Sequence, residues 1–210
     1  MSFLIKIVHL FLFFTVRPFL KFFFNFKQEG QENIKGVNPP IIIVANHSCW
    51  IDPFLISAAM PPDSEIIPVR FATWYKHFWK FAPIIWPMGA FPVRKKMGLE
   101  KTLEKALNIL KKGGTVGMFP EEKRRHFGRR RKGRRGTPFL AIKTNALILP
   151  VFVDGTMGME FSDYFMRARK ITIKIGKPFR LPSQPVENIE ELSELNDLAD
   201  LVVEKIYELE

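Results

Sequence analysis

Four consecutive β-branched residues, Ile41-Ile42-Ile43-Val44, leave few folds open to this chain. A run that is apolar at every position has no polar face, so it reads as a strand covered on both sides, as in a parallel sheet flanked by helices. Pro39-Pro40 marks its start, and the polar residues Asn46 and His47 mark its end. Asp52-Pro53 then reads as the start of a helix, with Asp as N-cap and Pro at the first helical position, where its missing N–H costs nothing. His47 and Asp52 therefore flank a strand-to-helix turn. On one continuous helix, residues five apart would point about 140° away from each other. Across a turn, the carboxylate can accept a hydrogen bond from one imidazole nitrogen and leave the other as a general base. Such a pair carries no nucleophile of its own. Its natural use is to activate a hydroxyl on a substrate, which means direct transfer of a group to an alcohol. The plainer alternative is that Asp52 only caps the helix and His47 only closes the strand.

The rest of the chain alternates in the same way. Phe54 to Met60 reads as a short helix and Ile66 to Val69 as a second strand. Phe71, Trp74, Tyr75 and Phe78, spaced by three and four, then read as one face of a helix. That aromatic face serves either core packing or the wall of an apolar ligand site. Leu99, Leu103, Ala106, Leu107 and Leu110 give a helix closed by Gly113-Gly114. Thr115 to Phe119 is another buried strand, and it also stops at charge, at Glu121 and the basic residues beyond. Two strands ending in polar clusters predict a common edge of a largely parallel sheet, where such folds place their sites. Phe139 to Ala146 reads as a helix, Ile148 to Val153 and Ile171 to Ile175 as strands, and Val186 to Glu210 as a terminal helix with an acidic outer side. The expected fold is α/β, with a largely parallel central sheet flanked by helices.

Residues 1–27 differ in kind from 28–210. They are rich in Phe and Leu, contain no acid, and carry Lys6, Arg17, Lys21 and Lys27. The uninterrupted apolar run Ile7 to Val16 is about half the length of a spanning helix and breaks at Arg17-Pro18. This predicts a membrane-associated helical hairpin hinged near Pro18, its bases reaching the headgroups, on the cytoplasmic face. One spanning helix from about Phe3 to Phe24 is the alternative. A signal peptide is set aside because no small-residue cleavage site follows. The formal charge of +11 is local: nine basic residues lie between Lys123 and Arg135, leaving +2 elsewhere. That run is either a solvated loop or an attraction for anionic membrane lipid or an acidic partner protein. Nucleic acid is not expected, since Phe127 is the run's only aromatic and no binding motif accompanies it. The single cysteine, Cys49, excludes an intrachain disulfide, and the four scattered histidines form no metal-site pattern.

Four blocks, in order from about Ile41 to Val153, resemble the glycerolipid acyltransferases of the lysophosphatidic acid acyltransferase type. Asn46, His47 and Asp52 are similar to the first block, which implies His47 as base and Asp52 as its orienting carboxylate. Gly89, Phe91 and Arg94 resemble the second, whose arginine holds the acceptor's phosphate, a task suited to the guanidinium fork. Phe119, Pro120, Glu121 and Arg124 resemble the third, with Glu122 and Lys123 where the family has Gly and Thr. Ile148-Leu149-Pro150-Val151 is similar to the fourth. The resemblance implies an O-acyltransferase with His47 and Asp52 catalytic and with Arg94, Glu121 and Arg124 positioning the acceptor. No cofactor is implied. The donor would be acyl-CoA or acyl carrier protein, and the acceptor the free hydroxyl of 1-acylglycerol 3-phosphate in phospholipid biosynthesis. Two alternatives accompany this expectation. One is O-acylation of a different lyso-lipid, such as an acylated amino acid or a glycolipid. The other is a non-catalytic, membrane-tethered binding protein using the basic run 123–135.

Overall fold

The structure is a computed structural model that describes residues 2–94, 98–121, 132–160, 163, 169–181 and 194–210. Seven strands form one sheet: β1 (Lys27–Glu29), β2 (Ile41–Ala45), β3 (Val69–Trp74), β4 (Phe91–Val93), β5 (Thr115–Met118), β6 (Leu147–Asp154) and β7 (Thr172–Ile175). Their order is β1-β7-β6-β2-β5-β3-β4, and every neighbouring pair is parallel except β6 with β7. This is the largely parallel α/β sheet that the β-branched runs predict.

Strand β2 is buried at all five positions because both its faces are covered. Ile41 and Ile43 face one core with α3 (Asp52–Ala59), while Ile42 and Val44 face a second core with α5 (Gly98–Lys111), α6 (Gly136–Thr144) and α7 (Glu194–Tyr207). Helix α5 ends as expected, with the Gly113 and Gly114 amides bonding back to Leu110 and Ile109. Asp52 is the first residue of α3 and not its N-cap, a position held by Ile51.

The aromatic segment departs from the sequence expectation. Val69 and Phe71 are buried on alternate positions of β3, which runs to Trp74; the helix α4 (Tyr75–Ile85) begins only afterwards. Spacings of three and four straddled a strand and a helix start. The N-terminal hairpin is likewise corrected. Helix α1 (Ser2–Phe11), a π-helical turn (Leu12–Val16) and α2 (Arg17–Phe24) follow without a break, and residues Phe3–Phe24 form one apolar helix. A proline inside an α-helix removes one backbone bond and crowds the preceding turn. Here the π turn comes first, and the Arg17 N–H reaches back five residues to the Leu12 carbonyl. Pro18 thus falls in the opening turn of a new α segment.

One face of this long helix is buried against the rest of the protein through Ile5, His9, Leu12, Leu20 and Phe24. Its start meets Gly89, just before β4, and its end meets β7, where the Ile171 N–H donates to the Phe24 carbonyl at 3.1 Å. The other face leaves Phe3, Phe11, Phe14 and Phe22 more than 60 % exposed.

Candidate active site

The C-terminal end of β2 is held by a side chain that imitates a strand. Asn46 Nδ2 donates to the Val153 carbonyl at 2.8 Å, and Asn46 Oδ1 accepts from the Val153 N–H at 2.7 Å. This buried amide extends the pairing of β2 with β6 by one residue and turns the next residue, His47, out over the sheet edge.

The chain then folds back on itself around one carboxylate. Asp52 is fully buried, and its Oδ2 accepts from the Ser48 N–H at 2.8 Å, the Cys49 N–H at 2.8 Å and His47 Nδ1 at 2.9 Å. Two backbone donors fix the carboxylate, and the third bond fixes the imidazole with its proton on Nδ1. The free nitrogen is then Nε2, with an acceptor lone pair, on a ring whose side chain is 22 % exposed. The opposite ring face is set by Phe119, stacked on His47 with centroids 4.2 Å apart, and Phe71 stacks on Phe119 in turn. Phe119 follows β5, which pairs directly with β2, so the shared strand edge delivers the contact.

The remaining predicted residues lie elsewhere. Arg94 follows β4 on the same sheet edge, but β5 and β3 intervene; three strand spacings put it about 14 Å from the His47 strand. Its guanidinium lies 4.3 Å from the centre of the Tyr75 ring, and its carbonyl accepts from Thr102. Glu121 is buried, and its Oε1 accepts a hydrogen bond from the Tyr207 hydroxyl on α7. Arg124 and most of the basic run lie outside the described residues. The end of the run is tied to α7: the Gly133 N–H donates to Asp200 at 2.7 Å, and Arg135 Nε donates to Asn196 at 2.6 Å. Cys49 is buried, its amide committed to Asp52.

Three residues acquire parts that sequence reasoning did not assign: Asn46 as strand clamp, Phe119 as platform, Tyr207 as partner of Glu121. Phe119 carried a signal, as the last aromatic of a strand ending in charge. Tyr207 carried none.

What the arrangement does chemically is hold one imidazole, backed by a buried carboxylate, with Nε2 open at the edge of a parallel sheet. Comparisons with known proteins agree with that architecture. The chain is similar to 1-acyl-sn-glycerol-3-phosphate acyltransferase LPAT1, chloroplastic, of Arabidopsis thaliana, with 27% identity over 141 residues covering 64% of this chain and 37% of that protein. It is similar to the 1-acyl-sn-glycerol-3-phosphate acyltransferase of Pseudomonas aeruginosa, with 27% identity over 128 residues covering 60% of this chain and 48% of that one. It thus spans less than half the length of these relatives. Its fold is that of the 1-acyl-sn-glycerophosphate (LPA) acyltransferase PlsC of Thermotoga maritima, with a TM-score of 0.65 and 23% identity, covering 96% of this chain and 79% of that one. The sequence profile described as Acyltransferase matches residues 25–154, from β1 to the last residue of β6, so the chain belongs to the acyltransferase family.

Proposed function

We propose that this protein is an O-acyltransferase that moves a fatty acyl group from a thioester, acyl-CoA or acyl carrier protein, to the free hydroxyl of 1-acylglycerol 3-phosphate. His47 Nε2 takes the hydroxyl proton as the oxygen attacks the thioester carbonyl. The tetrahedral adduct collapses with cleavage of the C–S bond, and the departing sulfur receives the proton from Nε2. Asp52 stabilises the imidazolium in between and keeps the ring aimed. Neither an acyl-enzyme nor a cofactor is needed. The observation that carries this reading is the His47 Nδ1 to Asp52 Oδ2 contact of 2.9 Å with the carboxylate fully buried. Arg94 and Arg124 serve the acceptor's phosphate in this reading.

The long N-terminal helix supports a place on the membrane, whose cytoplasmic face we take as the side. Docked by one face, it offers its exposed phenylalanines to the acyl layer, so the domain lies on the bilayer without its helix having to cross it. The basic run adds attraction to anionic lipid. Burial of Glu121 against Tyr207 favours one variant, in which the acceptor is another lyso-lipid that Glu121 does not touch.

The test is thioester-dependent acylation by purified protein in vesicles, over lyso-lipid acceptors with and without phosphate. Product on the phosphate-bearing acceptor, with His47→Ala lowering kcat by about 10²–10⁴, is the expected result. Reaction only on phosphate-free acceptors would replace the acceptor. No reaction on any acceptor, by protein that still binds anionic vesicles, would replace catalysis with tethering.

A further inference from the structure

A cavity of about 930 Å³ opens at the end of the sheet opposite to His47. It is bounded by the starts of three strands, at Pro68 before β3, Phe91 in β4 and Thr115 in β5. Strand β3 runs about 17 Å from Pro68 at the floor of this cavity to the edge where the His47 strand ends, while the β4 wall reaches higher, with Phe91 beside Ala72 and Pro92 beside Thr73. Arg70, second in β3, and Lys112, just after α5, line the low end, so a headgroup held there is set about 13 Å along the strands from the edge that carries His47 and is not positioned for the acyl transfer chemistry.

The walls of the cavity have two characters. Ile5 from α1, Phe78 and Trp79 from α4, and Trp86 supply apolar surface. Trp79 and Trp86 are more than half exposed, and so is Ile84 between them. The mouth thus opens into an apolar surface carrying tryptophans, the composition of a membrane interface. On the other side stand Arg70, Lys105 and Lys112, with Glu65 the only acid among the described lining residues. Arg70 projects from β3 toward α5, with its stem held 3.2 Å from where a Cβ on Gly89 would stand. Its guanidinium is partly withdrawn from water, which pulls its pKa below the usual value. No ion pair among the described residues offsets that desolvation.

We propose that this cavity is a binding site for an anionic diacyl phospholipid of the host bilayer, separate from the acyl-transfer site. The phosphate takes Arg70 as its main partner, with Lys105 and Lys112 at the rim, and the chains lie along Ile5, Phe78, Trp79 and Trp86. Charge decides the class: three cations against one carboxylate select an anionic headgroup over a zwitterionic one. The volume is within the range of about 300–1,000 Å³ typical of ligand pockets. The site makes the enzyme's seat on the membrane dependent on lipid charge and not only on apolar insertion.

Tryptophan quenching in detergent micelles tests this without a bilayer and without turnover, so its outcome is separable from that of the acylation assay. In full-length protein carrying Trp50→Phe and Trp74→Phe, Trp79 and Trp86 are the reporters. Titration with brominated phosphatidylglycerol should quench them at a mole fraction roughly fivefold lower than brominated phosphatidylcholine requires, the preference expected of one net negative charge beside these basic side chains, since both headgroups carry the phosphate and only choline cancels its charge. Arg70→Gln should remove the preference, and the double variant Lys105→Gln/Lys112→Gln should reduce it, while Arg94→Gln and His47→Ala should leave it intact. Equal quenching by both lipids would overturn the proposal, as would a preference that survives both the Arg70 and the lysine variants. Loss of the preference in Arg94→Gln instead would move the lipid to the acceptor site and end the proposal as well.

Discussion

Replacing Asp52 by asparagine removes one charge and almost nothing else. The amide oxygen fits where Oδ2 stands and can accept from the Ser48 N–H, the Cys49 N–H and His47 Nδ1, so the turn and the imidazole keep their positions. In the proposed reaction, what disappears is the negative charge beside the imidazolium that would form once Nε2 had taken the hydroxyl proton. With the charge centres about 4 Å apart and an effective dielectric near 20, that attraction amounts to about 4 kcal/mol. At 1.36 kcal/mol per decade, the full loss corresponds to about a thousandfold in kcat. Water reaches one side of the ring, whose side chain is 22 % exposed, and screens part of this. The expected fall for Asp52→Asn is therefore about 10²–10³ in kcat. KM for the thioester should stay unchanged, because the interaction exists only once the proton has moved. The assay is release of free thiol from acyl-CoA at saturating acceptor, followed with a thiol-reactive chromophore, beside a thermal melt of each variant. A properly folded Asp52→Asn protein that loses less than about tenfold in kcat would refute the electrostatic role. It would leave Asp52 as a clamp for the turn alone.

The other side chains around the site give sharper structural readouts. Asn46→Ala strips two buried backbone groups of Val153 of their partners; at about 1–3 kcal/mol for each unsatisfied group, chemical denaturation should show a loss of about 2–6 kcal/mol. A loss under about 0.5 kcal/mol would mean the clamp is not closed in solution. Phe119→Leu keeps apolar volume but removes the stack on His47, worth about 0.5–1.5 kcal/mol, so kcat/KM should fall about three- to tenfold with little change in melting temperature. Gly89 has φ +85°, and a Cβ there would stand 2.9 Å from Ile5 Cγ2, so Gly89→Ala should loosen the start of the long helix. A destabilisation of about 1–3 kcal/mol with faster hydrogen exchange over 2–11 is expected, and unchanged exchange there would refute the contact.

Much of this was legible in the chain because two of its strands are buried on both faces. Ile41 to Val44 announces itself by continuous apolar composition and Thr115 to Met118 by an uncharged run that stops at charge, and their polar ends lie side by side because β2 pairs with β5. The edge strands were not legible. Strand β1 is Lys-Gln-Glu and β4 is Phe-Pro-Val; an edge strand needs no second apolar face and tolerates a proline, so neither carries a strand signature. Strand order was equally hidden, and with it the distance of Arg94 from His47. No local spacing states that β5 and β3 come between them. The role of Asn46 depends on Val153, 107 residues away, and the surroundings of Glu121 depend on Tyr207, 86 residues away. A period of three and four over Phe71 to Phe78 misled because it ran across the junction of β3 and α4.

The N-terminal helix has a length usually associated with crossing a bilayer: 22 residues, about 33 Å. The seven-stranded sheet beneath it is about 29 Å wide, six spacings of about 4.8 Å. The helix meets the region of β3 and β4 at one end and β7 at the other, so the same length serves as a strut across the whole sheet. A strut of this kind joins mechanically what the chain order keeps apart. Neither flank of the sheet can fray without lifting a beam anchored on the opposite flank. The two edges, which share no strand contact, should accordingly open together, with hydrogen exchange at one edge tracking exchange at the other.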